Sequence, residues 1–257
     1  MIFENHRYPR RSASGLRTGH LWRNTLVFAI AIGVVAWLLV PGIGPNILQL
    51  PEVQGPWSRA GAGNNPDLLA DLDSLSIRGR TDVPDYRRTE FGDGWADLDG
   101  DGCSTRNEVL ARDLTEITYR ESSNPCVVDT GVLDDPYSSG LIDFQRGEQT
   151  SQEVQIDHVV PLADAWYSGA WRWDPPTRYQ FANDPLNLLA VDGGANFEKG
   201  AKTADQWLPS NKDFQCEYVG RQVTVKHRYA LSVTPAEAKA MRRVISKCPT
   251  LNVSTWD

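Results

Sequence analysis

From Thr25 to Ile43 the chain runs 19 residues, TLVFAIAIGVVAWLLVPGI, without a charged side chain. That is close to the roughly 20 residues needed to cross the hydrocarbon core of a bilayer. Five arginines (Arg7, Arg10, Arg11, Arg17 and Arg23) precede it against one acid, Glu4, and Glu52 follows it. Basic flanks stay on the cytoplasmic side. The expected order is therefore a cytoplasmic basic tail over 1–24, a transmembrane anchor over 25–43, a flexible stalk over 44–66 and an extracellular domain over 67–257. The rival reading is a cleaved signal peptide and a secreted product. Against it, the basic region is long, and the small-residue site Ala60-Gly61-Ala62 lies far downstream. A buried core helix is a third reading, disfavoured because no globular sequence precedes the run. The first two readings both export the bulk of the chain.

Export decides how the cysteines are read. All four, Cys103, Cys126, Cys216 and Cys248, lie after the apolar run. Two disulfides are expected in an oxidising compartment. Pairing Cys103 with Cys126 and Cys216 with Cys248 closes each loop within its own part of the chain. A four-cysteine zinc site is the alternative, but the sequence holds no CxxC pair. Hydrophobic content of 40% and charged content of 23% fit a globular protein. The formal charge of −7 argues against a protein that coats nucleic acid by charge alone. The charge is uneven, with 20 acidic and 9 basic side chains over 51–150 and 12 of each over 151–257. A local grip on a polyanion stays open.

Periodicity gives a coarse order of elements. Leucines at helical spacing mark a helix over Asp67–Leu75, and Asn107–Thr118 reads as an amphipathic helix. Val154–Val160 is a β-rich run broken by polar residues, and Ala182–Val191 is a loop entering a short apolar run. Gly193-Gly194 turns the chain, Asn196–Asp205 begins a helix, and Gln222–His227 alternates like a strand. Thr234-Pro235-Ala236-Glu237 is a capping box with proline at the first helical position. Its helix runs to about Lys247.

Only two of the four histidines, His158 and His227, lie in the exported part. His227 sits between Lys226 and Arg228 and reads as a surface residue. His158 follows Asp157 at the end of an apolar strand. A neutral imidazole there can take a proton from water, and a neighbouring carboxylate can hold a divalent cation. A lone Asp-His pair is usually structural, so the downstream residues matter. Asn187 opens the segment NLLAVDGGAN, Asn196 closes it, and Lys199 and Lys202 follow. Asparagine can tie a loop through both faces of its amide or offer its carbonyl to a hard cation. Lysine can answer phosphate charge.

The series Asp157-His158-Val159-Val160-Pro161, Asn187, Asn196 and Lys199 resembles the HNH nucleases of the ββα-metal fold. More closely, residues 80–250 resemble exported actinobacterial HNH-family proteins grouped with the GmrSD-type C-terminal domains. WADLDGDGCSTRNEVLARDL, DHVVPLADAW, FANDPLNLLAV and NFEKGAKTADQWLP carry that likeness. The resemblance implies an α+β fold, with two antiparallel strands, a helix and added helices. It implies His158 as general base, Asp157 and Asn196 as metal ligands, and Asn187 as the residue fixing the loop that carries the histidine. Lys199 and Lys202 would contact phosphate. Many HNH enzymes have His where this chain has Asn196, which shifts the expected metal toward Mg²⁺ or Mn²⁺. The implied reaction is one-metal hydrolysis of a nucleic-acid phosphodiester, of DNA ahead of RNA.

Residues 97–108, DLDGDGCSTRNE, fit the pattern D-x-D-x-D-G-x5-E of an EF-hand loop. Asp97, Asp99, Asp101 and Glu108 are the candidate Ca²⁺ ligands. Ser104 stands where an apolar residue is usual, and no convincing helix precedes Asp97. An Asp/Gly turn pinned by Cys103 is an equal reading. In a third, Arg106 reaches the active site and braces a phosphate.

Trp207 reads as core. Trp171 and Trp173 are either core or stacking platforms for unpaired bases. The eleven basic groups of 199–247, counting His227, suggest a basic face. Three functions compete: a membrane-anchored extracellular nuclease, an exported Ca²⁺-stabilised surface-binding module with an inactive HNH core, and a DNA-uptake component that cuts incoming DNA. There is no HExxH and no serine elbow, which leaves protease chemistry little support.

Overall fold

A computed structural model describes residues 65–77, 79, 82–121, 126–147, 150–248 and 251. Among these residues no helix is long and apolar enough to cross a membrane; the apolar run 25–43 lies outside them. They combine short helices with two antiparallel sheets.

Helix α1 (Pro66–Ser74) buries Leu68 and Leu72 and leads to buried Leu75, as the leucine spacing predicts. Helix α2 (Thr105–Asp113) is shorter than the expected Asn107–Thr118. After Asp113 the chain turns extended and becomes strand β1 (Leu114–Tyr119). The β-branched residues Thr115, Ile117 and Thr118 favour this, and pairing with β2 (Val128–Asp134) outweighs the local helical spacing. β3 (Leu141–Gln145) completes a sheet of order β1-β2-β3.

The second sheet pairs β4 (Val154–His158) with β5 (Leu188–Asp192), setting His158 opposite Leu188. Between them the chain makes α3 (Leu162–Ser168) and α4 (Pro175–Ala182). Helix α5 (Gly193–Lys199) follows β5 at once, so the expected turn at Gly193-Gly194 is already its first turn. A Cβ on Gly193 would sit 2.0 Å from the carbonyl oxygen of Gln152, so the close approach of the two chains requires glycine there.

Helix α6 (Gln215–Arg228) replaces the strand expected at Gln222–His227. The alternation misled because Gln222 and Lys226, polar in sequence, are buried beside Val219 and Val223 on the inner face of the helix. Helix α7 (Pro235–Ile245) carries the expected capping box, with the amide of Glu237 donating to Thr234 Oγ1 at 3.1 Å. Two disulfides, Cys103–Cys126 and Cys216–Cys248, join the pairs expected from their sequence separation.

Three apolar clusters form the interior. One packs α1, α6 and α7 around Tyr137, Trp207 and Tyr218. One gathers Phe91, Trp166 and Phe181, with Trp171 and Trp173 partly buried against it. The third packs Val109 and Leu110 of α2 on Val154, Leu188 and Ala190.

Candidate active site

Side chains alternate along a strand. Val154, Ile156 and His158 therefore share one face of β4, and Gln155 and Asp157 share the other. The first face meets α2 through Val109 and Leu110. The second meets α5, where Asn196 and Lys199 stand three residues apart on one side of the helix.

His158 ends the strand and is 8% exposed. Its Nε2 lies 2.8 Å from the carbonyl oxygen of Ala182. A carbonyl can only accept, so Nε2 carries the proton and Nδ1 is the basic nitrogen. The ring stacks on Trp95, with centroids 6.0 Å apart and planes 7° apart. Burial pushes the imidazole down to about 3; the Ala182 bond opposes this, while Arg88 and Lys199 add to it. The ring is therefore neutral at physiological pH.

Asn187 is fully buried and holds the chain that leaves His158. Its carbonyl accepts from the amide of Val159 at 2.8 Å. Its Oδ1 accepts from the amide of Val160 at 2.8 Å, and its Nδ2 donates to the carbonyl of Val160 at 3.3 Å. Both faces of the amide are used on one residue, which fixes the direction of the loop.

Asp157 turns inward. Tyr137 donates its hydroxyl to Oδ2 at 2.5 Å, and Lys199 Nζ donates to Oδ1 at 2.9 Å. Lys199 Nζ also donates to the carbonyl of His158 at 2.9 Å, and its side chain has no exposed surface. Burial raises the Asp157 carboxyl above the usual carboxylate range, and Lys199 and Tyr137 work against that rise. The sequence expectation set Asp157 on a metal and Lys199 on phosphate. The structure pairs them with each other, because a buried ammonium needs a counter-charge and Asp157 faces it.

Asn196 is half-buried and donates from Nδ2 to Gln155 Oε1 at 2.9 Å. Gln155 Nε2 in turn donates to the carbonyl of Gln152 at 3.3 Å. This chain fixes both amides and, among the described residues, leaves Asn196 Oδ1 without a hydrogen-bond partner. One carbonyl oxygen suits a small cation that keeps most of its water, as Mg²⁺ does. Lys202 is exposed and donates to the carbonyl of Glu198 at 2.7 Å. The basic face expected over 199–247 is only partial, since Lys199, Arg221 and Lys226 are buried. Lys226 pairs with Asp164 and Glu237, each at 2.7 Å, and Arg221 with Glu217 at 3.0 Å. His227 is exposed, as expected, 3.6 Å from Asp71.

The acidic loop leads out of Trp95. Carboxylate oxygens of Asp97, Asp99 and Asp101 lie within 4.8 Å of one another. Asp97 accepts from the amides of Gly100 and Gly102 at 2.8 and 3.0 Å, and Asp101 from the amide of Cys103 at 2.7 Å. Gly102 has φ +90, a conformation that favours glycine at the sharp turn. Glu108 is raised above the usual range by burial, then by the charges of Asp99, Asp101 and Asp97. The three aspartates therefore converge, and Glu108 feels their charge from the first turn of α2.

Sequence reasoning did not find Tyr137, Trp95 or Arg88. Tyr137 comes from a turn 20 residues before Asp157, and no local pattern ties the two.

Residues 104–244, more than half of the chain, match the family described as GmrSD restriction endonucleases, C-terminal domain. The chain belongs to this family. Asp157, His158, Asn187, Asn196 and Lys199 all fall inside the GmrSD-type match, whereas Trp95 and the three aspartates of the acidic loop precede it. A protein of Arthroderma benhamiae named "Uncharacterized secreted protein" is 35% identical over 179 residues, covering 69% of this chain and 82% of that one. No solved structure matches the chain.

Proposed function

We propose that this GmrSD-type domain is an extracellular, metal-dependent endonuclease that hydrolyses nucleic-acid phosphodiesters, with DNA as its substrate. The observation that carries this is the committed tautomer of His158. Nε2 is held by Ala182, so Nδ1 can take the proton of an attacking water as general base. Asn187 fixes the loop beyond the histidine, and Lys199 holds the carbonyl of His158 itself. A divalent cation, when bound, would supply positive charge at the scissile phosphate. Asn196 Oδ1 is the ligand expected for it from sequence, as Mg²⁺ or Mn²⁺, although its bond to Gln155 sets it on the face of β4 opposite His158. Asp157, with both oxygens engaged, orders the pair with Lys199. The name of the fungal relative, a secreted protein, supports export; the anchor over 25–43 rests on sequence alone.

The Asp157–Lys199 pair also favours a second reading, an exported Ca²⁺-stabilised binding module with an inactive core. One experiment separates the two. The full-length protein, with both disulfides formed, is incubated with plasmid DNA and with RNA in Mg²⁺, Mn²⁺, Ca²⁺ or EDTA. Cleavage is expected with Mg²⁺ or Mn²⁺, to stop in EDTA, and to fall roughly 10²–10⁴-fold in His158→Ala. Its acid limb should lie well below the ordinary histidine value of 6.5, because the buried imidazole resists protonation. Undiminished cleavage by His158→Ala would remove the base assignment. No cleavage of either polymer by folded protein would favour the binding module.

A further inference from the structure

The segment 51–150 carries 20 acidic and 9 basic side chains, yet three of its arginines sit in a row. Arg120 and Arg146 both bond to Asp129, Arg120 through its guanidinium and Arg146 through its backbone. Arg120 reaches Asp129 Oδ1 from Nε and Nη2, each at 3.3 Å, and the amide of Arg146 donates to the carbonyl of Asp129 at 2.7 Å. On its other side Arg146 donates from Nη2 to Oδ1 of Asn107, the chain neighbour of Arg106, at 2.6 Å. Arg106 Nη1 is buried and has no hydrogen-bond partner among the described residues. Burial lowers Arg106 and Arg146, and each feels the repulsion of the next arginine in the row.

Such an arrangement works against folding. A buried donor left unpaired is costly, and neighbouring like charges add to that. An anion removes both penalties, since guanidinium groups match phosphate oxygens in a planar fork. The row also has a fixed relation to the histidine. Arg106 stands one turn before Leu110 on α2, and Leu110 packs on the face of β4 that ends in His158.

We propose that Arg106, Arg146 and Arg120 form a track for successive backbone phosphates, so that the ligand is a polynucleotide strand spanning several phosphates rather than a single nucleotide. The track rests on the nucleic-acid reading above but not on hydrolysis.

The test measures binding of a fluorescent DNA oligonucleotide by anisotropy. It uses the full-length protein in EDTA, so that no cleavage intervenes, across a range of KCl. The variants are Arg106→Gln, Arg146→Gln and Arg106→Lys. Each glutamine variant should weaken binding and flatten the plot of log K against log salt by about one contact's worth of counterion release. Arg106→Lys should keep most of the slope. Melting temperatures give a second readout. Arg146→Gln loses bonds to Asn107 and to the Val128 carbonyl and should melt lower. Arg106→Gln loses an unpaired donor and should melt no lower than the parent. Unchanged slope and affinity in folded Arg106→Gln would overturn the track. A fall in its melting temperature with binding intact would overturn it too, assigning Arg106 to the fold. If the parent protein cuts neither DNA nor RNA yet shows the slope differences, the nuclease reading fails and the track stands.

Discussion

Lys199 shows how far a residue's chemistry depends on direction. Its ammonium is enclosed and shared between Asp157 and the carbonyl of His158. Removing one partner of a buried pair leaves the other charge uncompensated, which typically costs about 3–5 kcal/mol. Lys199→Met should therefore lower unfolding free energy by about that much in urea, and adding Asp157→Asn should recover most of it. An unchanged urea midpoint in Lys199→Met would discard the pair as a structural element. The sequence exposes Asp157, His158, Asn187, Asn196 and Lys199 as a group by type and spacing. It does not expose which way each faces. Strand alternation sends Asp157 and His158 to opposite sides of β4, so neighbours in sequence meet different partners. Tyr137 and Trp95 are fixed only by tertiary packing, which spacing does not encode.

At the scale of the element, legibility followed length and local signals. The helix after Thr234 was readable because its cap is local: Thr234 and Glu237 satisfy each other's backbone amides. Thr234→Ala should cost about 1 kcal/mol of stability in thermal or urea unfolding, as N-cap removal does elsewhere. A melting curve superimposed on the parent would refute that role. Strands β4 and β5 were readable as apolar runs bounded by polar residues. Helix α6 was not. Its inner face includes Lys226, whose charge is matched by Asp164 and Glu237, so a buried position looked like an exposed one. The end of α2 was hidden for another reason. Pairing of β1 with β2 is long-range, and it overrides a helical pattern continuing through Thr118.

Across the whole molecule, charge in sequence and charge at the surface differ. Several cations of the balanced C-terminal part are inside, while the acidic middle part carries the row of arginines and the three converging aspartates. The acidic loop bears on the molecule as a unit, because it joins Trp95 to α2 and is tied to Cys126 by a disulfide. We propose that it binds Ca²⁺. Ca²⁺ at 100 times its dissociation constant should then add about 2.7 kcal/mol of stability, visible as a rise in melting temperature that Asp101→Asn removes. An equal rise in the Asp101→Asn variant would rule the loop out as the site.

The clamp at Asn187 has one more consequence. It closes the chain excursion that leaves β4 at Val159 and returns to β5 at Leu188, holding both ends of that excursion at its neck. Loop-closure entropy grows only with the logarithm of length, about 0.6 kcal/mol per doubling. Length added at the exposed tip of the excursion, at Asp174 and Pro175, is therefore felt only weakly at the strand ends. The packed remainder of the excursion is not interchangeable, because it carries Trp166, Phe181 and the Ala182 carbonyl that holds His158 Nε2.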